Sequence, residues 1–253
     1  MPENASSKLT GYAGDYMTQA VERLQWVQAH QSAQIAAAGA AVAKAVAAGG
    51  LWYVMGTGHS HMLAEEVFYR AGGLVPVVPM LDSILMLHES ATQSTAAERL
   101  PGLARIILDA RQVTDQDVLL IASNSGRNAV PVEMARLAKE RGIFTIAITS
   151  LAHSGTVESR DPSGLRLFEV ADLVIDNGAP YGDALVAVGR EDKKMGPCST
   201  IVGACIMNAI AIEATARLQL QGIDVPTLVS ANSAGADHTA AALEPLRRRV
   251  RHV

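Results

Sequence analysis

The chain has 253 residues, of which 49% are apolar and 4% aromatic, and its 21 Lys and Arg stand against 25 Asp and Glu. The apolar fraction excludes a disordered chain and predicts a packed core built mainly from Ala, Val, Leu and Ile. Charged residues make up only 18%, against roughly 25% in average chains, so we expect extensive burial or a surface that faces another subunit.

Charge and hydropathy exclude further classes of protein. Four arginines lie in the last seven residues, so that residues 1–246 carry a formal charge of −8, and such an acidic body would repel nucleic acid. Residues 1–10 show no signal-peptide pattern. The longest apolar stretch, Ile201–Ile212, is shorter than the roughly 20 residues that span a membrane. We therefore expect a cytoplasmic protein that binds neither nucleic acid nor membrane.

The N-terminal part of the chain is predicted to be helical. Residues 15–48 are rich in helix formers and contain no proline, and their apolar residues recur at helical spacing. The pattern predicts one long helix, or two helices that meet near Gly39. Large side chains are scarce in Ala36–Ala48, so this run should pack closely against a sheet or another subunit.

Short apolar runs then alternate with helical segments. The predicted buried strands are Leu51–Met55, Val75–Val78, Val118–Ala122, Phe144–Thr149 and Leu173–Ile175. The segments of helical composition are Ser60–Ala71, Asp82–Ala110, Asn128–Arg141 and Thr200–Gln221. This alternation predicts a single three-layer α-β-α domain with a parallel sheet: a helical segment at 15–48, a core at 51–222 and a tail at 223–253. Residues 154–169 are predicted to be an irregular excursion.

The two cysteines are predicted to be structural. Cys198 and Cys205 are seven residues apart in one predicted helix, which separates them by roughly 10 Å and forbids a disulfide between them. We expect both to be small core residues.

Polar residues cluster at three junctions where the chain should enter a helix. Gly56–His61 follows the first strand, Ser123–Asn128 follows the third, and Pro197–Thr200 precedes the last long helix. Hydroxyl and amide side chains beside free backbone N–H groups can bind a phosphate at a helix start. Ser, Thr and Asn are also ordinary caps, but Ser123–Asn128 offers four polar side chains where a cap needs one. Phosphate binding is therefore the favoured interpretation.

Competing motifs are incomplete. His61 replaces the third glycine of a dinucleotide-binding loop, no Gly-Lys pair forms an ATPase-type phosphate loop, and Ser60 lacks the closing glycine of a serine-hydrolase elbow. His59 and His61 lack the spacing of a zinc site. We expect no metal and no cofactor.

The polar loops resemble the sugar isomerase (SIS) domain. Gly56-Thr57-Gly58-His59-Ser60, followed by Ser123-Asn124-Ser125-Gly126 and a helix, carries the resemblance, which extends over roughly residues 30–222. Segments similar to a bacterial branch related to phosphoheptose isomerases are His88-Glu89, Ser94-Thr95 with Glu98-Arg99, Gly196–Thr200 and Asn232–His238. The resemblance implies a flavodoxin-like fold with a five-stranded parallel sheet, a phosphorylated sugar as ligand, and a homodimer or homotetramer.

The resemblance also implies which residues bind the sugar phosphate. They are Gly58, His59, Ser60, Ser123, Asn124, Ser125, Asn128, Ser199 and Thr200. Ser123, Asn124 and Ser125 would hold the phosphate, with Ser60 contributing from the first loop. Asn128 stands where many members have Ser or Thr, which keeps a donor but changes its geometry.

Aldose–ketose isomerisation needs a general base beside the reacting carbon and an acid that assists ring opening or oxygen protonation. The candidate bases are Glu65, Glu66 and Glu89, with Glu98 a further possibility, and His88 and His238 are histidines that could face the site. We therefore predict a sugar-phosphate isomerase that acts through an enediol. Two alternatives remain open: a noncatalytic phosphosugar-binding sensor module, and a lyase or etherase acting on an amino-sugar phosphate.

Overall fold

A five-stranded parallel sheet lies at the centre of the computed structural model, which describes residues 4–189, 193–224, 227–229, 243–246 and 250. Its strands are β1 (Trp52–Gly56), β2 (Val77–Met80), β3 (Val118–Ala122), β4 (Phe144–Thr149) and β5 (Leu173–Asp176). Their order across the sheet is β2-β1-β3-β4-β5. A separate antiparallel hairpin consists of β6 (Ala184–Ala187) and β7 (Lys194–Pro197).

Helices cover both faces of this sheet. On one face lie α1 (Asn4–Ala47), α2 (Met62–Val67) and α8 (Ser199–Leu220). On the other lie α3 (Ala91–Ala97), α4 (Leu103–Asp109), α5 (Ala129–Glu140) and α7 (Leu167–Val170), and the short α6 (Leu151–Ser154) follows β4. The predicted three-layer α/β fold with a five-stranded parallel sheet and a long N-terminal helix is confirmed.

Each strand contributes to two cores, one on either face of the sheet. In β1, Trp52 and Val54 belong to the core beneath α1 and α8, whereas Tyr53 and Met55 belong to the core beneath α4 and α5. Successive side chains of a strand point to opposite faces. A strand that is buried on both faces therefore needs an unbroken apolar run, which is the pattern that revealed these strands in the sequence.

The long helix α1 packs along α8. It is continuous and begins at Asn4, eleven residues before the predicted start, because the low helix propensity of Gly11 and Gly14 hides the first turns in the sequence. Gly39 does not divide it. A side chain at position 39 would clash with Glu213 Cβ, so Gly39 allows α1 and α8 to approach closely.

Several boundaries differ from the prediction. β2 lies two residues later than expected, because the whole run from 75 to 80 is apolar and periodicity cannot place its ends. The predicted helical stretch 82–110 contains the two short helices α3 and α4, which are separated at Gly102, whose φ is +88°. The hairpin β6–β7 was not predicted.

The apolar helix α8 is long enough to span a membrane by length and composition alone, with a mean hydropathy of 1.5. Its buried residues include Val202, Ile206, Ile210 and Ala214, and they belong to the core shared with α1 and the sheet. Core packing accounts for part of the apolar composition of this helix, whereas Ile201, Ile212 and Leu220 are exposed.

The close contact at Gly39 predicts that glycine-to-alanine substitutions at two positions of α1 affect stability differently. Gly39→Ala should lower the free energy of unfolding by about 1–3 kcal/mol, because the new methyl group forces α1 from α8 and outweighs the gain in helix propensity. Gly14→Ala is the matched control, because no atom lies within 4 Å of its Cβ position, and it should leave stability unchanged or raise it by up to about 1 kcal/mol. Urea unfolding followed by circular dichroism measures both. Equal stabilisation by the two substitutions would contradict the close contact.

Candidate functional site

The strands β1 and β3 pair side by side at the centre of the sheet, and the polar segments after them border an open cleft. In a doubly wound sheet of this order, ligands bind beyond the carboxyl ends of the strands at this switch point. The cleft is lined by Ser60, Leu63, Ala122, Ser123, Asn124, Ile148, Asn177, Ser199 and Thr200. Five of the predicted binding residues therefore meet in one place: Ser60, Ser123, Asn124, Ser199 and Thr200.

The loop after β3 is held by its own hydrogen bonds. Gly126 N donates to Ser123 Oγ over 3.2 Å, and Ser150 N donates to the Asn124 carbonyl over 3.1 Å. Gly126 has φ +55°, and a Cβ atom there would lie 3.1 Å from Thr149 Oγ1, so both conformation and space favour glycine. The loop thus presents Ser123 and Asn124 to the cleft in a defined orientation.

Asn177 orients Asn124. Asn177 Nδ2 donates to Asn124 Oδ1 over 2.9 Å, and its own Oδ1 accepts from Ala179 N over 3.0 Å. The bond from Asn177 fixes the side-chain amide of Asn124 by occupying its Oδ1. The Nδ2 of Asn124 can then donate to a ligand. Asn177 was missed in the sequence, although it follows β5 directly and could have been found by the same rule that singled out polar residues at strand ends.

The hydroxyls of the cleft differ in availability. In the part of the chain that the structure describes, the Ser60 and Thr200 hydroxyls have no hydrogen-bond partner, so both can bind a ligand. Ser60 lies in a 3-10 turn, Gly58–His61, that starts at a glycine with φ +56°. Ser199 lines the cleft as well, but its hydroxyl donates to Asp183 Oδ2 over 2.6 Å.

Asp183 caps α8. Its Oδ1 accepts from Ser199 N over 2.8 Å and from Cys198 N over 3.1 Å, so a carboxylate of the chain itself occupies the N-terminus of this helix. Asp183 has φ +69°, which is uncommon for a residue with a side chain. The junction before α8, predicted as a phosphate-binding helix start, is therefore occupied by this carboxylate cap.

Glu98 connects the loops after β1 and β3. Thr57 Oγ1 donates to Glu98 Oε2 over 2.8 Å, and Asn128 Nδ2 donates to Glu98 Oε1 over 2.7 Å. Arg160 Nη1 in turn donates to Asn128 Oδ1 over 3.1 Å. Asn128 is buried, and its side chain makes these bonds instead of capping α5. Among the glutamates considered in the sequence, Glu98 is the one bonded to both loops.

The other predicted residues lie in several places. Glu65 is exposed, 3.8 Å from His61, and Glu66 on α2 bonds Arg70 over 2.8 Å. His88 and Glu89 form an exposed pair 3.9 Å apart before α3. None of these four predicted residues lines the cleft. Gly58, His59 and Ser125 lie in the two loops beside it, and His238 is outside the described residues.

His153, which was not singled out in the sequence, lies close to Arg127 in the loop after β3. Burial, and next the positive charge of Arg127, lower the pKa of His153, while Asp183 acts in the opposite direction. The imidazole is therefore neutral near pH 7. Among the described residues, no three His, Cys, Asp or Glu side chains are grouped so that they could hold a metal ion.

This geometry defines a class: a doubly wound α/β protein with hydroxyl and amide donors at the switch point of its sheet. Residues 15–150 match a family described as SIS domain. The chain belongs to the SIS domain family.

Relatives of nearly the same length align with most of the chain. A UPF0309 protein of Geobacillus thermodenitrificans is 44% identical over 236 residues, which cover 93% of this chain and 95% of the relative. A UPF0309 protein of Brucella canis is 41% identical over 246 residues, covering 97% and 100%.

Solved structures share the fold. A phosphoheptose isomerase from Francisella tularensis aligns with a TM-score of 0.54 at 14% identity, covering 84% of this chain and 98% of its own. The Escherichia coli CFT073 protein c3406 in complex with A5P aligns with a TM-score of 0.54 at 17% identity, covering 88% and 95%. At these identities the likeness concerns the fold alone.

The environments of the two free cysteines predict different reactivity. Cys198 is buried at the start of α8, whereas Cys205 is exposed on α8, so that the expectation of a core position is wrong for Cys205. Burial, and next the charge of Asp183, raise the pKa of the Cys198 thiol to about 12. This thiol is therefore protonated and unreactive at pH 8.

We expect a thiol-specific disulfide reagent at pH 8 to modify one cysteine in the native protein and two in the unfolded protein. Cys205→Ser should abolish the reaction of the native protein, and Cys198→Ser should leave it unchanged. Rapid modification of two thiols in the native state would contradict the burial of Cys198.

Proposed function

We propose that this protein binds the phosphate group of a phosphorylated sugar in the cleft between the loops after β1 and β3. The carrying observation is that uncharged donors converge there: the hydroxyls of Ser60 and Thr200 and the amide of Asn124, which Asn177 orients. A phosphate has several acceptor oxygens and is well matched by such donors near a helix N-terminus. The start of α5 directly follows this loop.

Membership of the SIS family supports the same ligand. The structural neighbours at comparable TM-scores include a phosphoheptose isomerase and a protein solved with A5P. These two proteins are only 14% and 17% identical to this chain. What their names and ligands contribute is therefore the class of molecule to be tested.

The activity that we propose is the interconversion of an aldose phosphate and a ketose phosphate through an enediol. A base removes the proton from the carbon beside the carbonyl while the carbonyl oxygen gains a proton. The same groups then return a proton to the former carbonyl carbon and remove one from the other oxygen, so that no atom is gained or lost.

Glu98 is the carboxylate that we propose as this base. Hydrogen bonds from Thr57 and Asn128 hold its two oxygens between the loops that border the cleft, which supports a fixed position near a bound sugar. His88 with Glu89, the pair predicted from the sequence, is the competing proposal, and His238 remains a candidate acid.

A second candidate function is a noncatalytic phosphosugar-binding module. It is favoured by the observation that none of the candidate bases Glu65, Glu66, Glu89 and Glu98 lines the cleft. The two functions differ in one measurable respect, because only the isomerase exchanges a carbon-bound proton of its ligand with solvent.

Loss of a cleft hydroxyl should weaken binding. Ser60→Ala should raise the Kd for sugar phosphates about 10-fold or more, because a hydrogen bond to a charged group contributes about 1.5–3 kcal/mol. Isothermal titration calorimetry with a panel of aldose and ketose phosphates measures this effect. Ser32→Ala is the control, because the Ser32 hydroxyl bonds its own helix at Gln28. A protein that binds no member of the panel, or a Ser60→Ala variant with unchanged affinity, would refute the proposed site.

Removal of the base should abolish turnover while binding persists. Glu98→Gln should reduce the isomerisation rate about 10²–10⁴-fold, with the Kd changed by less than about 5-fold. NMR spectroscopy of the same panel in deuterated water follows both the isomer formed and the deuterium incorporated, and it would also reveal lyase products.

Glu89→Gln and Glu66→Gln serve as comparisons and should retain turnover. A 10²-fold loss in Glu89→Gln instead would assign the base to that residue. Binding without exchange in the wild-type protein would identify the noncatalytic module.

A further inference from the structure

Three arginines gather at the outer side of the loop after β3. Arg127 belongs to the loop itself, two residues beyond Ser125. Arg160 N donates to the Arg127 carbonyl over 2.7 Å, and Arg160 Nη1 donates to Asn128 over 3.1 Å. Arg99 directly follows Glu98, which also bonds Asn128.

The cations of this cluster influence one another. Loss of hydration, and next the charges of Arg127 and then Arg99, lower the pKa of Arg160 below its ordinary value, and Glu98 only partly offsets them. Like charges at close range repel each other, and an anion bound between them would reduce this repulsion.

The cluster lacks ion-pair partners of its own. Elsewhere arginines pair with acids, as Arg111 does with Asp82 over 2.6 Å and Arg166 with Glu169 over 2.9 Å. Among the described residues, Arg99, Arg127 and Arg160 form no such pair. Glu98 is the acid whose charge acts on Arg160. Both of its carboxylate oxygens already accept hydrogen bonds from uncharged donors.

Arg127 adds an independent sign of a missing partner. Its Nε is buried and has no hydrogen-bond partner in the part of the chain that the structure describes. A buried donor without an acceptor costs about 1–3 kcal/mol, more when it is charged. The described residues therefore leave the hydrogen-bonding capacity of Arg127 incomplete.

We propose that Arg127 and Arg160, with Arg99 nearby, form a second anion subsite beside the cleft, and that the ligand is a phosphorylated sugar carrying a second anionic group. This inference rests on the proposed function, which assigns the phosphate to the cleft. The planar guanidinium group binds carboxylate or phosphate oxygens in pairs. Because Arg127 belongs to the same loop as Ser123 and Asn124, we expect one sugar to span both sites. A phosphorylated sugar acid, with its carboxylate at the arginines, is the chemical class that we assign.

Three open-chain hexose derivatives separate the contributions of the two anions. Sorbitol 6-phosphate carries one phosphate, 6-phosphogluconate differs from it by a carboxylate in place of the terminal alcohol, and glucitol 1,6-bisphosphate carries a second phosphate instead. Calorimetry on the full chain should show 6-phosphogluconate binding at least 10-fold more tightly than sorbitol 6-phosphate. A preference for the bisphosphate alone would support the subsite and assign it to a second phosphate.

Arginine variants test whether the preference comes from this cluster. Arg160→Gln and Arg127→Gln should each reduce the affinity for 6-phosphogluconate about 10-fold and change that for sorbitol 6-phosphate less than 3-fold. Arg160→Lys should restore part of the loss. Lys44→Gln removes one charge beside the first residues of β3 and β4, at the end of the sheet opposite the cleft. It should change neither affinity.

Equal binding of the three compounds, or an equal loss in Lys44→Gln, would overturn the second subsite. The failure of the proposed function would look different, because no sugar monophosphate of the wider panel would then bind. Binding of monophosphates that is insensitive to the arginine variants would leave the proposed function intact and refute this inference.

Discussion

The parallel pairing of β1 with β3 is the constraint on which the site depends. Trp52 pairs with Val118 and Gly56 with Ala122, so the two strands end at the same level of the sheet. The segments that begin at Thr57 and Ser123 therefore leave the sheet side by side. Both strands are buried on both faces, and a shift in their register would expose apolar side chains on one face or the other. Hydrophobic packing in the layers above and below thus fixes the spacing of the two polar loops.

Glu98, which belongs to a third segment of the chain, connects these two loops by hydrogen bonds. It stands at the end of α3, and its carboxylate accepts from Thr57 on one side and Asn128 on the other. Asn128 in turn accepts a hydrogen bond from the Arg160 guanidinium group. The backbone N–H of Arg160 donates to the Arg127 carbonyl. The same network therefore connects the Glu98 carboxylate, through Asn128, with the guanidinium group of Arg160.

Long buried elements were predictable, and short or exposed ones were not. All five strands of the sheet appear in the sequence as apolar runs, because a parallel strand covered by helices on both sides tolerates few polar residues. The hairpin β6–β7 escaped notice because its strands have only four residues each, and because β7 is largely exposed and contains Gly196 and Pro197, although β6 is an apolar run. The division between α3 and α4 depends on the turn at Gly102, and composition on either side is helical. The early start of α1 was hidden by Gly11 and Gly14.

The fold class and the polar loops that follow β1 and β3 could be predicted from the sequence, because apolar runs and helix-capping residues are local patterns. Which residues meet those loops depends on the tertiary structure. Glu98, Asn177 and Asp183 lie far from Ser60 and Ser123 in sequence, and their roles depend on hydrogen bonds that no local pattern specifies. The clustering of Arg99, Arg127 and Arg160 is likewise a product of three separate segments. Hydrophobic burial brings such segments together irrespective of their polar side chains, and so their chemistry emerges only when the chain has folded.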